Sequence, residues 1–319
     1  MNTHSIKEKH LDDVRQALLE LGEATKPQLA AHTDLSVVTI NSLIRTLSDT
    51  NEIIQHENTI TNGGRPAAVY SLNTNFKLAL IFGTREKQGA DYITASVINL
   101  CGELIEPYQQ FTELNISNLD SSISYYIKKY PAIQVIAFAL PAKEHNGEII
   151  FSDYPQLNHF PLRSYLSEKY HIPCIIENDT RVAVLGYYAR HQSASMKIIA
   201  GIYFPQKYSA GIGIMINGTM LSGTNGLASE IEFLPAYRNI QWINRSLSQT
   251  IDLIQTICVM YNPDTILLYD EFLTPEMFAQ IKASFEHDDY HYFQPELVLL
   301  PQIEEDYMTG LKQFALSHL

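Results

Sequence analysis

Near its start the chain places apolar residues at helical spacing. Leu11, Val14, Leu18 and Leu21 share one face, and Gly22 predicts the end of a first helix. Thr25-Lys26-Pro27-Gln28 has the spacing of a capping box with proline in the first turn. It opens a short second helix through Leu29 and Ala31. Asp34-Leu35-Ser36 reads as a turn, with Ser36 as N-cap of a third helix. There Ile40, Leu43, Ile44 and Leu47 repeat at i, i+3, i+4 and i+7 and predict a core stripe. Val38, Asn41, Ser42 and Arg45 repeat at the same spacing, displaced by two residues. That displacement is roughly 200° of helix turn, so the second set faces away from the core. Two short strands, 53–56 and 67–72, flank Asn62-Gly63-Gly64 and predict a β-hairpin, a wing.

Beyond residue 74 the period changes. Runs suited to buried strands fall at 78–83, 92–100, 135–140, 174–176, 198–203, 212–216 and 265–268. Helical patterns fall between several of them, at 117–129, 161–170, 179–191 and 246–260. Alternating strands and helices predict an α/β body of two lobes with a cleft between them. The expected division is a head at 1–74 and a body at 75–319, with lobes at about 75–180 and 181–319.

Composition narrows this picture. Apolar residues make up 45% and charged residues 18% of 319 positions, enough for sizeable cores. No apolar run reaches the roughly 18 residues of a membrane span, and the start of the chain has no apolar leader core. The three cysteines, Cys101, Cys174 and Cys258, are far apart. They read as buried apolar residues in a reducing compartment, and the cytoplasm is the expected location.

The net charge is −13, and residues 1–72 hold six Lys/Arg against nine Asp/Glu. A head that binds nucleic acid therefore has to do so through a few placed groups, and through a dimer. The exposed face of the third helix offers such groups. Val38 can touch a thymine methyl, Asn41 can pair with adenine, and Arg45 can reach guanine or a phosphate. Ser36, Val37 and Thr39 at the helix start, and Ser42 on the same face, complete the candidate DNA surface. Arg65, at the base of the hairpin, can enter a minor groove or touch a phosphate. The plain alternative is a three-helix interaction module.

Several segments, in their order and spacing, resemble the ROK family (repressors, open reading frames, kinases), in particular its sugar-responsive repressors of the xylose and N-acetylglucosamine type. Gly64-Arg65-Pro66 resembles a segment at the family's wing. Residues 158–179 resemble the stretch leading into its Glu-Asn-Asp motif, here Glu177-Asn178-Asp179. Ile216-Asn217-Gly218 through Gly223 to Ile231 resembles a third segment of the family. The resemblance implies a winged helix-turn-helix ahead of a two-lobed, RNase H-like body of the sugar kinase, hsp70 and actin type. It implies that Asn178, Asp179 and Glu230 contact sugar hydroxyls. The other reading of Asn178-Asp179 is a cap on the helix that follows.

Against the family's kinases the chain departs in its phosphate-binding segments. Ile81-Phe82-Gly83-Thr84 lacks the aspartate and second glycine of the first phosphate loop. Ser209-Ala210-Gly211-Ile212-Gly213 lacks the first glycine of the second. Tyr269-Asp270 stands where the kinases have a double glycine against the nucleotide. Phe233 replaces the zinc-binding histidine, no cysteine cluster follows, and Ala142 follows Pro141 where the family has glycine. The expectation is a repressor without cofactor or metal, not an enzyme. Its partners are operator DNA and a sugar or sugar phosphate, and it forms a homodimer or tetramer with no membrane association. The rivals are an active sugar kinase with an appended head, and a regulator whose body is only a dimerisation or interaction scaffold.

Overall fold

The structure, a computed structural model, describes residues 3–56, 68–87, 90–111, 115–191, 196–206, 208–238, 240–286 and 292–319. The chain divides into two compact units. One is Met1–Lys77 with Asn99–Cys101, and the other is Leu78–Ile98 with Gly102–Leu319.

The first unit holds helices α1 (Thr3–Leu21), α2 (Lys26–Thr33) and α3 (Val37–Asp49) and strands β1 (Glu23–Thr25), β2 (Ile53–His56) and β3 (Val69–Leu72). The strands form one sheet in the order β1-β3-β2, with Ile53 opposite Leu72 and His56 opposite Val69. The predicted caps form. Thr25 and Gln28 close a capping box on α2, and Ser36 Oγ accepts the N–H of Thr39 at 3.1 Å. Ile40, Leu43, Ile44 and Leu47 are buried with Leu11, Val14, Leu18 and Leu29 in one core. Leu21, expected on that stripe, is 43% exposed because the helix ends there and Gly22 turns at φ +72°. The short strand β1 lacked a sequence signal; its three residues gain strand geometry only by pairing with β3. The expected hairpin tip at 62–64 and Arg65 lie outside the described residues.

The second unit is built on two five-stranded sheets. The first contains β4 (Leu78–Lys87), β5 (Ala90–Asn99), β6 (Leu104–Phe111), β7 (Ile133–Leu140) and β10 (Cys174–Asn178), in the order β10-β7-β4-β5-β6. The second contains β11 (Ile198–Tyr203), β12 (Gly211–Ile216), β13 (Thr219–Met220), β14 (Thr265–Tyr269) and β15 (Glu296–Leu300), in the order β13-β12-β11-β14-β15. A small hairpin, β8 (Ala142–His145) with β9 (Glu148–Ser152), follows β7.

Alternation along the strands explains how the layers stack. Leu80 and Phe82 of β4 face α4 (Ile116–Lys129) and α5 (Leu162–Tyr170), in a core with Ile123, Tyr126 and Leu166. Ala79 and Ile81 point the other way, toward α6 (Asp179–Arg190) and α9 (Glu304–Leu316). The same central core takes Ile199, Met215 and Leu267 from the second sheet, so α6 and α9 lie between the sheets. The outer face of the second sheet is covered by α7 (Leu247–Tyr261) and α8 (Pro275–Ala283).

Helices α6 and α9 cross with their backbones in contact. A Cβ on Gly186 would lie 1.8 Å from the carbonyl of Asp306, and one on Gly310 would lie 1.7 Å from that of Val182. Strands β6, β8, β9 and β15 and helices α8 and α9 were not expected from the sequence. In α9 the contact face is formed by small Gly310 and Ala315 with Asp306 and Tyr307, which blurs the apolar period. Of the cysteines, Cys174 and Cys258 are buried as expected, but Cys101 is exposed in the turn after β5.

Candidate functional site

Strand β10 runs parallel to β7, with Asn178 opposite Leu140. The chain then turns directly into α6, so Glu177, Asn178 and Asp179 stand at the carboxyl edge of the first sheet. Ligands of open α/β sheets bind at such edges. A cleft of about 900 Å³, counting the solvent-open space at its mouth, lies here. Its lining includes Asn178, Asp179, Glu230, Lys143, Phe151 and Tyr307.

Asn178 is the N-cap of α6. Its Oδ1 accepts the N–H groups of Thr180 at 3.0 Å and Arg181 at 3.2 Å. The capping reading is therefore realised, but it uses only the carbonyl of the amide. The Nδ2 group donates to no described residue and remains for a ligand. Asp179 is half-buried, and its Oδ1 accepts from Thr180 N at 2.7 Å, which leaves Oδ2. Burial pushes the Asp179 carboxyl up to about 6, and the nearby charge of Glu230 adds to this.

Glu230 is positioned by the loop before it. Arg181 Nη2 donates to the carbonyls of Gly226 at 2.9 Å and Ala228 at 2.8 Å, tying the loop to α6. Gly226 turns at φ +74° and packs against the carbonyl of Glu144, where a Cβ would lie at 2.8 Å. Glu230 then lies 3.8 Å from Arg181 and 3.2 Å from Lys143. Burial raises its carboxyl above the usual range, opposed by the Lys143 and Arg181 charges.

Lys143 directly follows Pro141-Ala142 and carries no sequence signal of its own. Its side chain is only 7% exposed, and its ammonium donates to Glu232 as well as pairing with Glu230. The rings of Phe151 and Phe233 lie 4.7 and 5.0 Å from it, within cation–π range. Lys143 sits on the hairpin between β7 and β10 of the first sheet, and Glu230 and Glu232 lie in the segment between β13 and β14 of the second. All three charges line the cleft.

The segments compared with phosphate loops make close packing contacts, although Thr84, Ser209, Ala210 and Gly211 also line the cleft. After Gly83, β4 continues as strand through Lys87. Tyr307 Oη accepts from Thr84 N and donates to Ala139 O, both at 2.9 Å. A Cβ on Gly211 would lie 2.1 Å from Thr180 Oγ1, and one on Gly213 would lie 3.0 Å from Arg181 Cα. These glycines let β12 approach the start of α6. Tyr269 is buried and donates to Asp306 Oδ2 at 2.9 Å. Asp270 pairs with Arg245, whose guanidinium lies 3.9 Å above the Phe204 ring. Among the described residues, no group of three or more His, Cys, Asp and Glu is arranged to hold a metal ion.

In the first unit, α3 presents Val37, Val38, Asn41, Ser42 and Arg45 to solvent, with Val38 80% exposed. Ser36 Oγ and Thr39 Oγ1 are engaged with each other at 2.9 Å in the cap. No helix among the described residues is long and apolar enough to cross a membrane.

Residues 87–241 match the sequence model of the ROK family. The xylose repressor of Bacillus spizizenii is 22% identical to the chain, over 67% of this chain and 57% of the relative. The DNA-binding transcriptional dual regulator NagC of Escherichia coli is 23% identical, over 72% and 58%. The chain thus spans a little over half the length of the curated relatives it matches. Among solved structures, a ROK family transcriptional regulator, a homologue of the E. coli Mlc protein, shares the fold. It aligns over 98% of both chains, with a TM-score of 0.59 and 18% identity.

Proposed function

From the premise that residues 87–241 are a ROK family domain, we propose that the chain is a sugar-responsive transcriptional repressor that transfers no phosphoryl group. The observation that carries this reading is the contrast within the body. The Asn178–Asp179 edge keeps hydrogen-bonding groups for a polyol, while Tyr269 and Asp270 are committed to Asp306 and Arg245. Phosphoryl transfer needs preorganised donors around the phosphates and metal. In those segments the Thr84 N–H is instead bonded to Tyr307, and Gly211 and Gly213 pack against the start of α6. The names of the similar proteins, a xylose repressor and a DNA-binding regulator, support the same reading.

The head is read as a winged helix-turn-helix with α3 as recognition helix. Val38, Asn41 and Arg45 address base edges and phosphates, and Ser42 and Val37 flank them. Ser36 and Thr39 set the start of that helix through the cap. A homodimer gives the acidic chain two such heads, and the cytoplasm is where it meets DNA. A carbohydrate in the cleft then shifts the population between body conformations that favour different head spacings.

Two assays test this. Selection from a random-sequence DNA pool is expected to recover a preferred site, with the preference weakened by Asn41→Ala and Arg45→Ala. Failure to bind any DNA sinks the repressor reading. A coupled assay with ATP and a hexose panel is expected to show no turnover, and sustained turnover establishes the kinase rival instead.

A further inference from the structure

We propose that the cleft takes an uncharged polyol and not its phosphorylated form, because Lys143 serves as an internal counter-ion for Glu230 and Glu232 rather than as a phosphate anchor. The proposal rests on the carbohydrate reading of the cleft and narrows it to one chemical class.

The argument starts from the charges. Among the described residues lining the cleft, the carboxylates are Asp153, Asp179, Glu230, Glu232 and Glu304, and the cation is Lys143. The charge of Lys143 is already engaged. Its ammonium contacts two carboxylates and lies against two aromatic rings. Turning it toward a phosphate would take from Glu232 the cation it pairs with and leave Glu230 only its 3.8 Å contact with Arg181, and breaking a part-buried pair is unfavourable. Arg181 is no substitute. It is fixed by the carbonyls of Gly226 and Ala228 and by Glu177, and its side chain is only 5% exposed.

A helix N-terminus can otherwise draw an anion. At α6 that capacity is taken up within the chain. Thr180 N donates to Asn178 and Asp179, and Arg181 N donates to Asn178. A phosphate dianion placed beside Asn178 would therefore meet carboxylates without a free counter-charge.

A neutral hydroxyl group meets complementary partners. An ammonium has three N–H bonds, and Glu230 and Glu232 account for two. The third can donate to a ligand oxygen, as can Asn178 Nδ2, while Asp179 Oδ2 accepts a hydroxyl proton. Donors and an acceptor at one edge suit a sugar hydroxyl pair.

The test is titration calorimetry on the full chain with matched pairs: glucose and glucose 6-phosphate, mannose and mannose 6-phosphate, N-acetylglucosamine and its 6-phosphate. The expected result is that at least one free sugar binds and its phosphate binds weaker by on the order of tenfold or more. In Lys143→Met the neutral sugar weakens, and glucosamine gains relative to glucose because two carboxylates lose their counter-ion. Tighter binding of a phosphorylated partner, lost in Lys143→Met, overturns the inference but leaves the carbohydrate cleft standing. Absence of binding by every sugar in both forms overturns the carbohydrate reading and the inference with it. The paired measurement on the unaltered chain decides the point even if Lys143→Met does not fold.

Discussion

The carboxyl edges of the body's two sheets use similar residue types in opposite ways. At the edge of the first sheet, Asn178 and Asp179 each spend one atom on α6 and keep another for a ligand. At the edge of the second, Tyr269 and Asp270 spend their polar groups on Asp306 and Arg245. The difference teaches that a polar residue at a strand end becomes a site only when the fold leaves it an unused partner. Counting polar groups would rank the two edges alike; accounting for their hydrogen bonds separates them.

Both edges rest on the α6–α9 crossing, so the largest expected effect removes their common support. Gly186→Ala places a Cβ into the backbone of α9 and is expected to cost about 3 kcal/mol or more, read by urea unfolding. A variant of unchanged stability would mean the helices do not meet as closely as described. Next in size is Asp270→Ala, which leaves the Arg245 charge buried without its partner. A loss of about 3–5 kcal/mol is expected, and the double variant Tyr269→Gly, Asp270→Gly should still give no ATP turnover. Turnover in that variant would show that these two side chains alone separate the chain from a kinase.

Asp179→Asn sharpens the comparison on the open side. The replacement keeps an oxygen for the Thr180 N–H but removes the charged acceptor. Sugar affinity should fall by about 1.5–3 kcal/mol, the range for a hydrogen bond to a charged group. Stability should move the other way. Folding raises this carboxyl from 3.8 to about 6, so the folded state binds more protons across that window. Stability therefore falls as pH rises through it and the penalty persists above it. Asp179→Asn should raise the melting temperature above pH 6, and the advantage should vanish below 3.8. In the unaltered chain, sugar affinity should weaken as pH drops through about 6, because a protonated Asp179 no longer offers a carboxylate. The smallest effect belongs to the head. Arg45→Ala should weaken DNA binding by about 1–3 kcal/mol while leaving sugar binding intact, measured by anisotropy and calorimetry on the same preparation.

How much of this was legible depends on the range of the interactions. The buried stripe and exposed face of α3 were readable because both are local and periodic. The caps at Thr25 and Ser36 were readable for the same reason. The double life of Asn178 was visible as two competing readings, and its two amide atoms turn out to allow both. Lys143 was not readable, because its meaning lies in Glu232, 89 positions away. Tyr269 and Asp270 were conspicuous as departures from a glycine pair, yet their partners Asp306 and Arg245 carried no signal. Helix α9 escaped because backbone proximity at Gly186 and Gly310, not an apolar stripe, fixes its place. Cys101 was misjudged because a cysteine in a polar turn has the same letter as one in a core.

The central claim is that a carbohydrate in this cleft governs DNA binding without phosphoryl transfer. It is tested most directly by measuring the affinity of the chain for its selected DNA site while an unphosphorylated sugar is titrated, for the unaltered chain and for Asp179→Asn. The account predicts that the sugar shifts DNA affinity in the unaltered chain and not in Asp179→Asn, with both binding DNA equally in its absence. A DNA affinity that no sugar changes, or one that changes equally in both chains, would contradict it.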